Sequence, residues 1–507
     1  MILDKNFFKR INANLINAES VEVLGVSYDS RTVKKGDVFF ALSGTRTDGK
    51  KYIEDALSKG AVAVVLEGAT DPLEAPTIIC VDATTLMAKL ARCVYDYPDT
   101  QMTVIGVTGT NGKTTVTYLI ESILNFNNIP SGVMGTINYR YPGKIVDAAN
   151  TTPKSADIYK IMREMLNAGV KHIVMEVSSH ALELGRVMGI EFDIAVFTNL
   201  TEEHLDFHGT MGNYFNAKSK LFTGLLGQGA QKGKKYAIIN VDDTWGLKLS
   251  KINLNADILA YSVRTDVAYK AEDVKIVPTG TTFTLVNGDK HLDVSMRQIG
   301  LHNVYNALAA VAAVNASGVE LEKCVAALET ASGAPGRLEK VDTLGLGFEI
   351  LVDYAHTEDA LKNVISAIKR LKPKRIITVF GCGGDRDRKK RPLMGQAVVN
   401  GSDFVFVTSD NPRTEDPVKI TLDIEVGIKR LGKNNYKVVT DRAQAIYEAV
   451  AMAERGDIIL LAGKGHETYQ IIGTHKHYFN DCETAFECVG RVKESRAPKQ
   501  HQKEFNF

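Results

Sequence analysis

The sequence predicts an α/β protein of three domains, each built on a mainly parallel sheet covered by helices. The chain has 507 residues, and at roughly 100–200 residues per domain this allows three or four domains. Short apolar runs rich in β-branched residues alternate with longer amphipathic stretches, a pattern typical of parallel sheets that are buried on both faces. Hydrophobic residues make up 44% of the chain and charged residues 24%, which is the composition of an ordinary globular protein.

The net charge and the cysteines exclude several classes of protein. The chain has 61 Lys and Arg against 60 Asp and Glu, a formal net charge of +1 that disfavours a basic nucleic-acid binder and a highly charged disordered chain. The six cysteines are scattered without a CxxC pair, which indicates free thiols in a reducing cytoplasm rather than a zinc knuckle or a disulfide scaffold. There is no signal-peptide core and no run of about eighteen apolar residues, so we expect a cytoplasmic protein without a membrane partner.

Eight apolar runs are the predicted strands, and they divide the chain into domains. The runs lie at 61–67, 102–108, 172–178, 194–200, 236–241, 375–381, 404–409 and 458–463. We predict a first domain at 1–100, a central domain at 101–335, a third domain at 336–495 and a flexible tail at 496–507. The stretch 264–299 carries an Asn-Gly turn signal and is predicted to be β-hairpin-like. Because ligands bind at the carboxyl ends of parallel strands, the residues that follow each run are the functional candidates.

The central domain opens with a predicted phosphate-binding loop. The run 102–108 leads into Gly-Thr-Asn-Gly-Lys-Thr-Thr, and the next residues are typical of a helix, so backbone amides and the helix dipole can bind phosphate oxygens. Lys113 is predicted to reach the β- and γ-phosphates, and the Thr114 hydroxyl to bind Mg²⁺. The alternative is an ordinary glycine-rich turn. The predicted ATP-binding residues of the loop are Gly109, Thr110, Asn111, Gly112, Lys113, Thr114 and Thr115.

Two residues that follow neighbouring strands are candidates for binding a metal ion. Glu176 ends the apolar strand predicted within the run 172–178, and a carboxylate there would lie where a Mg²⁺ partner of the phosphate loop is needed, although it could instead cap the following helix. His204 follows the run 194–200, and its position alone does not decide between a ligand and a structural histidine.

A series of motifs along nearly the whole chain resembles the Mur ligase family. The motifs include YDSRTVKKGDVFFAL (28–42), GVTGTNGKTT (106–115), EVSSHAL (176–182), FTNLTEEHLDFHG (197–209), VDYAHTEDAL (352–361), SDNPRTEDP (409–417) and GKGHETYQ (463–470). The resemblance implies an ATP-dependent, amide-forming ligase of peptidoglycan precursor synthesis, with a central P-loop ATPase domain and a Rossmann-like third domain. In the implied reaction a substrate carboxylate attacks the γ-phosphate of ATP, and an amine then displaces phosphate from the acyl phosphate. ATP is the implied co-substrate and Mg²⁺ the implied cofactor.

The resemblance also assigns roles to residues around the nucleotide. It implies that Lys113 is catalytic, that Glu176 and His204 bind magnesium, and that Lys218 is carboxylated on its side-chain nitrogen and also helps to hold the metal. The residues alone would make Lys218 a solvated helix lysine, and they would allow Asn306 to be an ordinary polar helix residue. The resemblance adds a second group of ATP-binding residues, reaching the nucleotide from the other side of a cleft: Asn303, Asn306, Arg337, Asp353 and His356.

Two further groups of residues are implied for the substrates. The UDP-linked substrate is assigned the loop 45–49 and Ser30, Arg31, Thr151, Thr152, Ser178 and Arg186, which would otherwise be ordinary turn residues. The added amino acid is assigned Arg386, Asp410, Asn411, Arg413, Gly463 and Glu467. The family associates the DNPR segment with diaminopimelate, since a guanidinium can bind the second carboxylate that lysine lacks. The basic run 386–391 could instead be a solvated loop.

The predicted function is therefore the addition of meso-diaminopimelate to UDP-N-acetylmuramoyl-L-alanyl-D-glutamate. A lysine-adding enzyme, a ligase like folylpolyglutamate synthetase, and a switch that uses ATP only to change shape are the alternatives. We expect small-molecule substrates, no nucleic-acid partner and a monomer.

Overall fold

The computed structural model describes residues 1–44, 47–68, 73–226, 233–277 and 279–496. Thr45 and Arg46 of the loop predicted to bind uridine diphosphate, and residues 497–507 of the predicted tail, lie outside the described residues. The chain divides into two compact units. One contains Met1–Asp273, Phe283–Val294 and Val304–Ala331, and the other contains Val274–Thr282, Ser295–Asn303 and the chain from Ser332 onward.

The first unit begins with a five-stranded sheet in the order β2-β7-β6-β5-β4, which is parallel except at the antiparallel β2–β7 pair. The strands β1 and β3 form a separate antiparallel pair. The elements are β1 Ile2–Asp4, α1 Lys5–Arg10, β2 Ala13–Ile16, β3 Ser20–Glu22, β4 Gly25–Ser27, β5 Asp37–Phe40, α2 Ile53–Ser58, β6 Ala63–Glu67, β7 Thr77–Cys80 and α3 Ala83–Val94.

A larger sheet of eleven strands follows, in the order β11-β10-β9-β12-β8-β13-β14-β15-β16-β17-β18. From β9 to β16 every described pair is parallel. Its strands are β8 Thr103–Thr108, β9 Ser131–Met134, β10 Asn138–Tyr141, β11 Lys144–Asp147, β12 His172–Glu176, β13 Ile194–Phe197, β14 Tyr236–Asn240, β15 Asp257–Ser262, β16 Tyr269–Val277, β17 Gly280–Asn287 and β18 Lys290–Met296. The helices are α4 Lys113–Phe126, α5 Ser155–Asn167, α6 Ser179–Glu183, α7 Leu205–His208, α8 Met211–Lys220, α9 Thr244–Leu249, α10 Leu301–Ala316 and α11 Leu321–Thr330.

The second unit holds a six-stranded sheet in the order β19-β20-β24-β21-β22-β23, parallel except at the antiparallel β19–β20 pair, and a small antiparallel hairpin, β25–β26. Its strands are β19 Glu339–Val341, β20 Glu349–Asp353, β21 Ile376–Phe380, β22 Phe404–Val407, β23 Tyr436–Val438, β24 Ile458–Ala462, β25 Tyr469–Ile472 and β26 His475–Tyr478. Its helices are α12 Glu358–Lys369, α13 Lys390–Gly401, α14 Pro417–Arg430, α15 Arg442–Met452 and α16 Asp481–Arg496.

The predicted α/β class is confirmed, and each of the eight predicted runs contains a strand. The central strands β13, β21 and β24 are buried at every residue, because helices cover both faces of a parallel sheet. The strand β8 lies between β12 and β13, so the carboxyl ends of these three strands meet at one edge. No helix in the described ranges is long and apolar enough to cross a bilayer.

Side-chain caps fix the start of several helices. Asp82 accepts hydrogen bonds from the amides of Thr84 and Thr85 at the start of α3, and Thr210 accepts one from the amide of Asn213 at the start of α8. Such caps satisfy amides that have no partner within the helix and typically stabilise a protein by about 1 kcal/mol each.

One ion pair in the second unit is completely buried. Arg442 at the start of α15 donates through Nε to Asp481 Oδ1 at 2.7 Å and through Nη2 to the carbonyl oxygen of Ala462 at 3.1 Å, and both charged side chains are 0% exposed. Arg442 thereby joins the starts of α15 and α16 to the end of β24, directly before the loop that begins at Gly463.

We expect Arg442→Met to lower the free energy of unfolding of this unit by about 3–5 kcal/mol, because the substitution leaves the Asp481 carboxylate buried without its partner. Chemical denaturation followed by circular dichroism measures the loss. Lys437→Met, which breaks the exposed pair between Lys437 and Glu448, is the matched control and should cost less than about 1 kcal/mol. Equal losses in the two variants would contradict the expectation.

Candidate active site

The predicted phosphate loop is a tight turn between β8 and α4. Gly109 has φ +145° and Gly112 has φ +89°, conformations that favour glycine. A Cβ atom on Gly109 would lie 1.9 Å from Thr198 Oγ1, and one on Gly112 would lie 2.5 Å from Asn306 Oδ1. Gly112 is also the N-cap of α4 and provides no side-chain cap, so the first amides of the helix are left for a ligand.

The residues that follow β13 hold this loop in shape. The amide of Thr110 donates to the carbonyl oxygen of Asn199 at 2.8 Å, and the amide of Asn111 donates to Asn199 Oδ1 at 3.0 Å. The hydroxyl of Thr198 donates to the carbonyl oxygen of Asn111 at 2.6 Å. These hydrogen bonds fix the loop to the residues that follow its neighbour strand, and a fixed loop loses less conformational freedom when it binds a ligand.

Lys113, Thr114 and Glu176 lie together at this edge of the sheet. Lys113 Nζ donates to the carbonyl oxygens of Gly109 and Thr110 at 2.9 and 2.7 Å. The buried Thr114 hydroxyl donates to Glu176 Oε2 at 3.0 Å. Glu176 also accepts hydrogen bonds from the amide and the hydroxyl of Thr136, which the sequence did not single out. The alternative role of Glu176 as a cap of the next helix is wrong, since Ser178 caps α6.

The interpretation of Lys218 as a solvated helix lysine is wrong, because the side chain is only 1% exposed. Its Nζ donates to the carbonyl oxygen of Gly109 at 2.7 Å and lies 4.7 Å from the centroid of the Tyr214 ring. Burial, followed by the nearby charge of Lys113, holds the pKa of Lys218 well below its usual value. Burial therefore favours the neutral form of this amine, which lies directly beside the phosphate loop.

His204 lies in a ring of aromatic side chains at the start of α7. Its ring centroid is 4.8 Å from that of His180 and 6.1 Å from that of Tyr214. His204 adopts the left-handed conformation, with φ +57°. Burial, with the neighbouring His180 and lysines, lowers the pKa of His204 although Glu203 acts in the opposite direction, which favours the neutral imidazole that can serve as a ligand.

The residues predicted for the UDP-linked substrate fall into two places in the first unit. Ser30 is buried, and its carbonyl oxygen accepts a hydrogen bond from Lys59 Nζ at 3.0 Å. Arg31 is 85% exposed and pairs with Asp29. The second place brings four residues together: the Thr152 hydroxyl donates to the carbonyl oxygen of Glu176, and Arg186 Nη1 donates to the carbonyl oxygen of Thr152 at 3.0 Å. The hydroxyl of Thr151 contacts that of Thr136, and the hydroxyl of Ser178 contacts that of Thr152.

The two predicted asparagines on α10 make different kinds of contact. Asn303 Nδ2 donates to the carbonyl oxygen of Ile299 at 2.9 Å. Asn306 is buried, and its Oδ1 lies beside Gly112 of the phosphate loop, so this asparagine is more than an ordinary helix residue.

In the second unit Arg337, Asp353 and His356 gather around Tyr354. The guanidinium of Arg337 lies 5.0 Å from the centroid of the Tyr354 ring, and the His356 ring lies 4.6 Å from it. Asp353 accepts hydrogen bonds from the amides of Leu338 and Ala355, while burial raises its pKa and Arg337 opposes that effect. The ring of His466, from the GKGHE segment, packs 4.9 Å from Tyr354 on another side, and burial lowers the pKa of His466 to about 4.

The GKGHE segment also packs against the residue before Arg337. Gly336 has φ +65°, and a Cβ atom there would lie 2.1 Å from the amide nitrogen of His466. A Cβ atom on Gly465 would lie 2.6 Å from the Cβ of Tyr354. Both glycines are therefore required by close backbone packing.

Three residues predicted to bind the amino acid form a buried polar cluster. Asn411 Nδ2 donates to Glu467 Oε2 at 2.8 Å, and burial raises the pKa of Asp410. A Cβ on Gly463 would lie 2.7 Å from Asp410 Oδ2. The sequence missed Lys464, which is 0% exposed and donates to Glu467 Oε2 at 3.1 Å. Lys464 belongs to the quoted GKGHETYQ motif, but a lysine in a polar segment after a strand gives no signal of burial in the sequence.

The predicted arginines lie next to this cluster. Arg413 has φ +52°, its backbone pairs with the β25–β26 hairpin, and its Nη1 donates to the carbonyl oxygen of Gly384 at 2.8 Å. A Cβ on Gly383 would lie 3.0 Å from Arg413 Nη1 and 3.6 Å from Arg386 Cγ, so the two arginines flank this glycine. The run 386–391 is not wholly solvated, because Arg391 is buried and pairs with Glu415 and Asp423.

Comparison with known families identifies the class of protein. The Mur ligase middle domain matches residues 107–314, the Mur ligase glutamate ligase domain matches 336–465, and the Mur ligase catalytic domain matches 22–93. The chain belongs to the Mur ligase family. A relative from Geobacter metallireducens, named UDP-N-acetylmuramoyl-L-alanyl-D-glutamate--2,6-diaminopimelate ligase, is 45% identical over 479 residues, which cover 92% of this chain and 93% of the relative.

Solved structures place this Mur ligase among proteins of the same fold. One described as UDP-N-acetylmuramoyl-L-alanyl-D-glutamate--2,6-diaminopimelate ligase has a TM-score of 0.67 and 34% identity, covering 93% of this chain and 95% of that one. A folylpolyglutamate synthase from Mycobacterium tuberculosis, complexed with ADP, has a TM-score of 0.59 and 17% identity, with 82% of this chain and 95% of that chain covered. The second likeness shows the fold alone.

The donor chemistry around the phosphate loop fits a magnesium ion of this Mur ligase. Magnesium prefers oxygen ligands, and the Thr114 hydroxyl and Glu176 carboxylate provide oxygen atoms 3.0 Å apart. Among the described residues no three His, Cys, Asp or Glu side chains are grouped to bind a metal without further ligands.

Proposed function

We propose that this Mur ligase adds meso-diaminopimelate to UDP-N-acetylmuramoyl-L-alanyl-D-glutamate at the expense of ATP. The observation that carries the proposal is the buried Lys218, whose Nζ lies 2.7 Å from the carbonyl oxygen of Gly109 in a phosphate loop on a Mur ligase fold. The names of the relatives that match over nearly their full length support the choice of both substrates.

The residues of the chain would act mainly by positioning and by neutralising charge. The loop amides and Lys113 would hold the β- and γ-phosphates of ATP, while Arg186 and the hydroxyls of Thr151, Thr152 and Ser178 hold the acid substrate. The substrate carboxylate oxygen attacks the γ-phosphorus, ADP leaves, and an acyl phosphate forms. The amine of diaminopimelate then attacks the acyl carbon, loses a proton and displaces phosphate.

Thr114, Glu176, His204 and a carboxylated Lys218 would hold magnesium, which neutralises the charge on the phosphates when it is bound. We propose the carboxylation because a neutral amine reacts with carbon dioxide, whereas an ammonium does not. Burial of Lys218 favours the neutral amine, and a carbamate would turn this position from a cationic into an anionic one.

We propose that Arg337, Asp353 and His356, which lie around Tyr354 in the second unit, bind the nucleotide. We propose the same role for Asn303 and Asn306 of α10. For the amino acid, we propose that Arg413 and Arg386 bind the distal carboxylate, and that Asp410, Asn411, Gly463 and Glu467 bind the distal ammonium group. Lys464 bonds to Glu467 and so fixes the position of that carboxylate. A planar guanidinium is well suited to a second carboxylate, and lysine would leave it without a partner.

An ADP-release assay with three arms tests this function. We expect release to require both the UDP-linked dipeptide and diaminopimelate, with little release when L-lysine replaces diaminopimelate or when no amino acid is added. Release without any amino acid would favour a nucleotide-dependent switch. Turnover of a folate with glutamate would favour the folylpolyglutamate-synthetase alternative, for which the ligand-binding residues described here give no support.

We further propose that the enzyme acts in the cytoplasm as a monomer. All six cysteines are unpaired thiols, which fits a reducing compartment. The substrates proposed here are all small molecules, and the near-neutral net charge of +1 gives no reason to expect a nucleic-acid partner. Size-exclusion chromatography with light scattering measures the oligomeric state.

A further inference from the structure

Two cationic side chains lie near the N-terminal end of α5, since Arg186 donates to the carbonyl oxygen of Thr152, two residues before Lys154. The ammonium group of Lys154 lies 4.2 Å from the centroid of the Tyr28 ring. Arg186 is close enough that, after burial, its charge is the next cause that lowers the pKa of Lys154. In the described part of the chain, neither cation lies within 4.0 Å of a carboxylate oxygen. Asp157 offsets the charge of Lys154 only in part, and its carboxylate is engaged by the hydroxyl of Tyr28.

The helix end adds further groups that attract an anion. Lys154 is the N-cap residue of α5, and its side chain provides no capping hydrogen bond for the first amides of this 13-residue helix. The first residue of the helix, Ser155, is 0% exposed, and its hydroxyl has no hydrogen-bond partner among the described residues. Helix amides, the positive end of the helix dipole and a hydroxyl donor are the components of many anion sites.

The Tyr28 ring and Asp157 compensate the positive charge at this helix end only in part. Two like charges at a half-buried position repel each other, and the positive end of the helix dipole further raises the free-energy cost of keeping both cations there. A buried hydroxyl without a partner costs further free energy. An anion bound at this helix end would offset the positive charges and accept hydrogen bonds from the first amides of the helix.

We propose that Lys154, Ser155 and the first amides of α5 extend the Arg186 site into a subsite for an acidic group of the acid substrate. The inference rests on the proposed function and adds residues to it. Thr152, which accepts from Arg186 through its carbonyl oxygen, is two residues before Lys154, so the new groups adjoin the residues already assigned to this substrate. The acidic group is a carboxylate of the dipeptide or a phosphate of the UDP moiety.

Lys154→Met tests the subsite, with Lys160→Met as the matched control because Lys160 is an exposed lysine on the same helix. A hydrogen bond to a charged group is worth about 1.5–3 kcal/mol, so we expect Lys154→Met to raise the KM for the UDP-linked dipeptide roughly 10- to 100-fold. The KM values for ATP and diaminopimelate should change less than about twofold, as should every constant of the control. Lys154→Arg should restore most of the affinity, because it restores the positive charge.

Direct binding of two fragments identifies the group that Lys154 contacts. Calorimetric titration compares UDP with N-acetyl-L-alanyl-D-glutamate on the wild-type protein and on Lys154→Met. Weaker binding of the dipeptide alone assigns a carboxylate, and weaker binding of UDP alone assigns a phosphate. Equal affinities of the two proteins for both fragments would overturn the subsite. If the wild-type protein showed no ligase turnover, the proposed function would be contradicted instead. The titration would still show whether Lys154 contributes to binding of either fragment.

Discussion

Lys218→Ala is expected to lower kcat by roughly a thousandfold, the scale seen when a group that stabilises charge at a transferring phosphoryl is removed. Lys218 is buried beside the phosphate loop, and its carboxylated form would place an anion where a metal ion and the γ-phosphate must be held. Added acetate or formate should restore part of the activity, since either can supply the missing carboxylate to the space left by the side chain. Steady-state assays with and without the acid measure both effects.

Lys220→Ala is the matched control for this prediction. Lys220 lies two residues further along α8, is 47% exposed and pairs with Glu183 on the surface, so its loss should change kcat less than about threefold. Carbon-13 NMR of protein equilibrated with labelled carbon dioxide should show a carbamate signal in the wild-type protein and in Lys220→Ala, but not in Lys218→Ala. Full activity of Lys218→Ala would refute the role of the lysine. Lost activity that no acid restores would argue against the carbamate.

Arg413→Ala should reduce kcat/KM for diaminopimelate by a factor of roughly 100 or more. Truncating one partner of a buried charge pair costs about 2–5 kcal/mol, and every 1.4 kcal/mol is a factor of ten. The main chain of Arg413 is held by hydrogen bonds to the β25–β26 hairpin, so the guanidinium is presented from a fixed backbone. The small turnover of L-lysine should change little, because lysine has no distal carboxylate to lose.

Arg388→Ala provides the comparison for Arg413. Arg388 is a 65% exposed arginine of the basic run 386–391, and it pairs with Asp423. We expect its loss to leave kcat/KM for both amino acids within about twofold of the wild-type value. The wild-type protein provides a separate check. If its kcat/KM for L-lysine equals or exceeds that for diaminopimelate, diaminopimelate is not the amino acid that the enzyme adds, whatever the variants show.

The sequence predicted the strands well because a parallel sheet buried on both faces needs continuous apolar runs. The runs around β8, β12 and β13 therefore located both the sheet and the edge where Lys113 and Glu176 lie. The hairpin β25–β26 was not predicted, because β26 is exposed at every residue and carries no apolar alternation. Its importance comes from its backbone contact with Arg413, which no local pattern records.

The site was harder to predict than the sheet, since burial of a polar side chain depends on tertiary packing. Lys218 and Lys464 are both almost fully buried, yet each stands in a segment whose composition is typical of solvated residues. Lys154 is similar, because its unusual surroundings come from Tyr28 and Arg186, which are distant in the chain. For these lysines, the sequence supplied a role only through the family resemblance, or supplied none.

The close packing of Gly336 on Gly465 and His466 has a mechanical consequence. The backbone that carries Arg337 and the backbone that carries Lys464 and Glu467 touch with no room for even a methyl group between them. A displacement of one segment must therefore push the other. A residue larger than glycine at position 465 would press on the carbonyl oxygen of Gly336, 2.9 Å from the added Cβ atom, and so displace the backbone at Arg337 as well as its own.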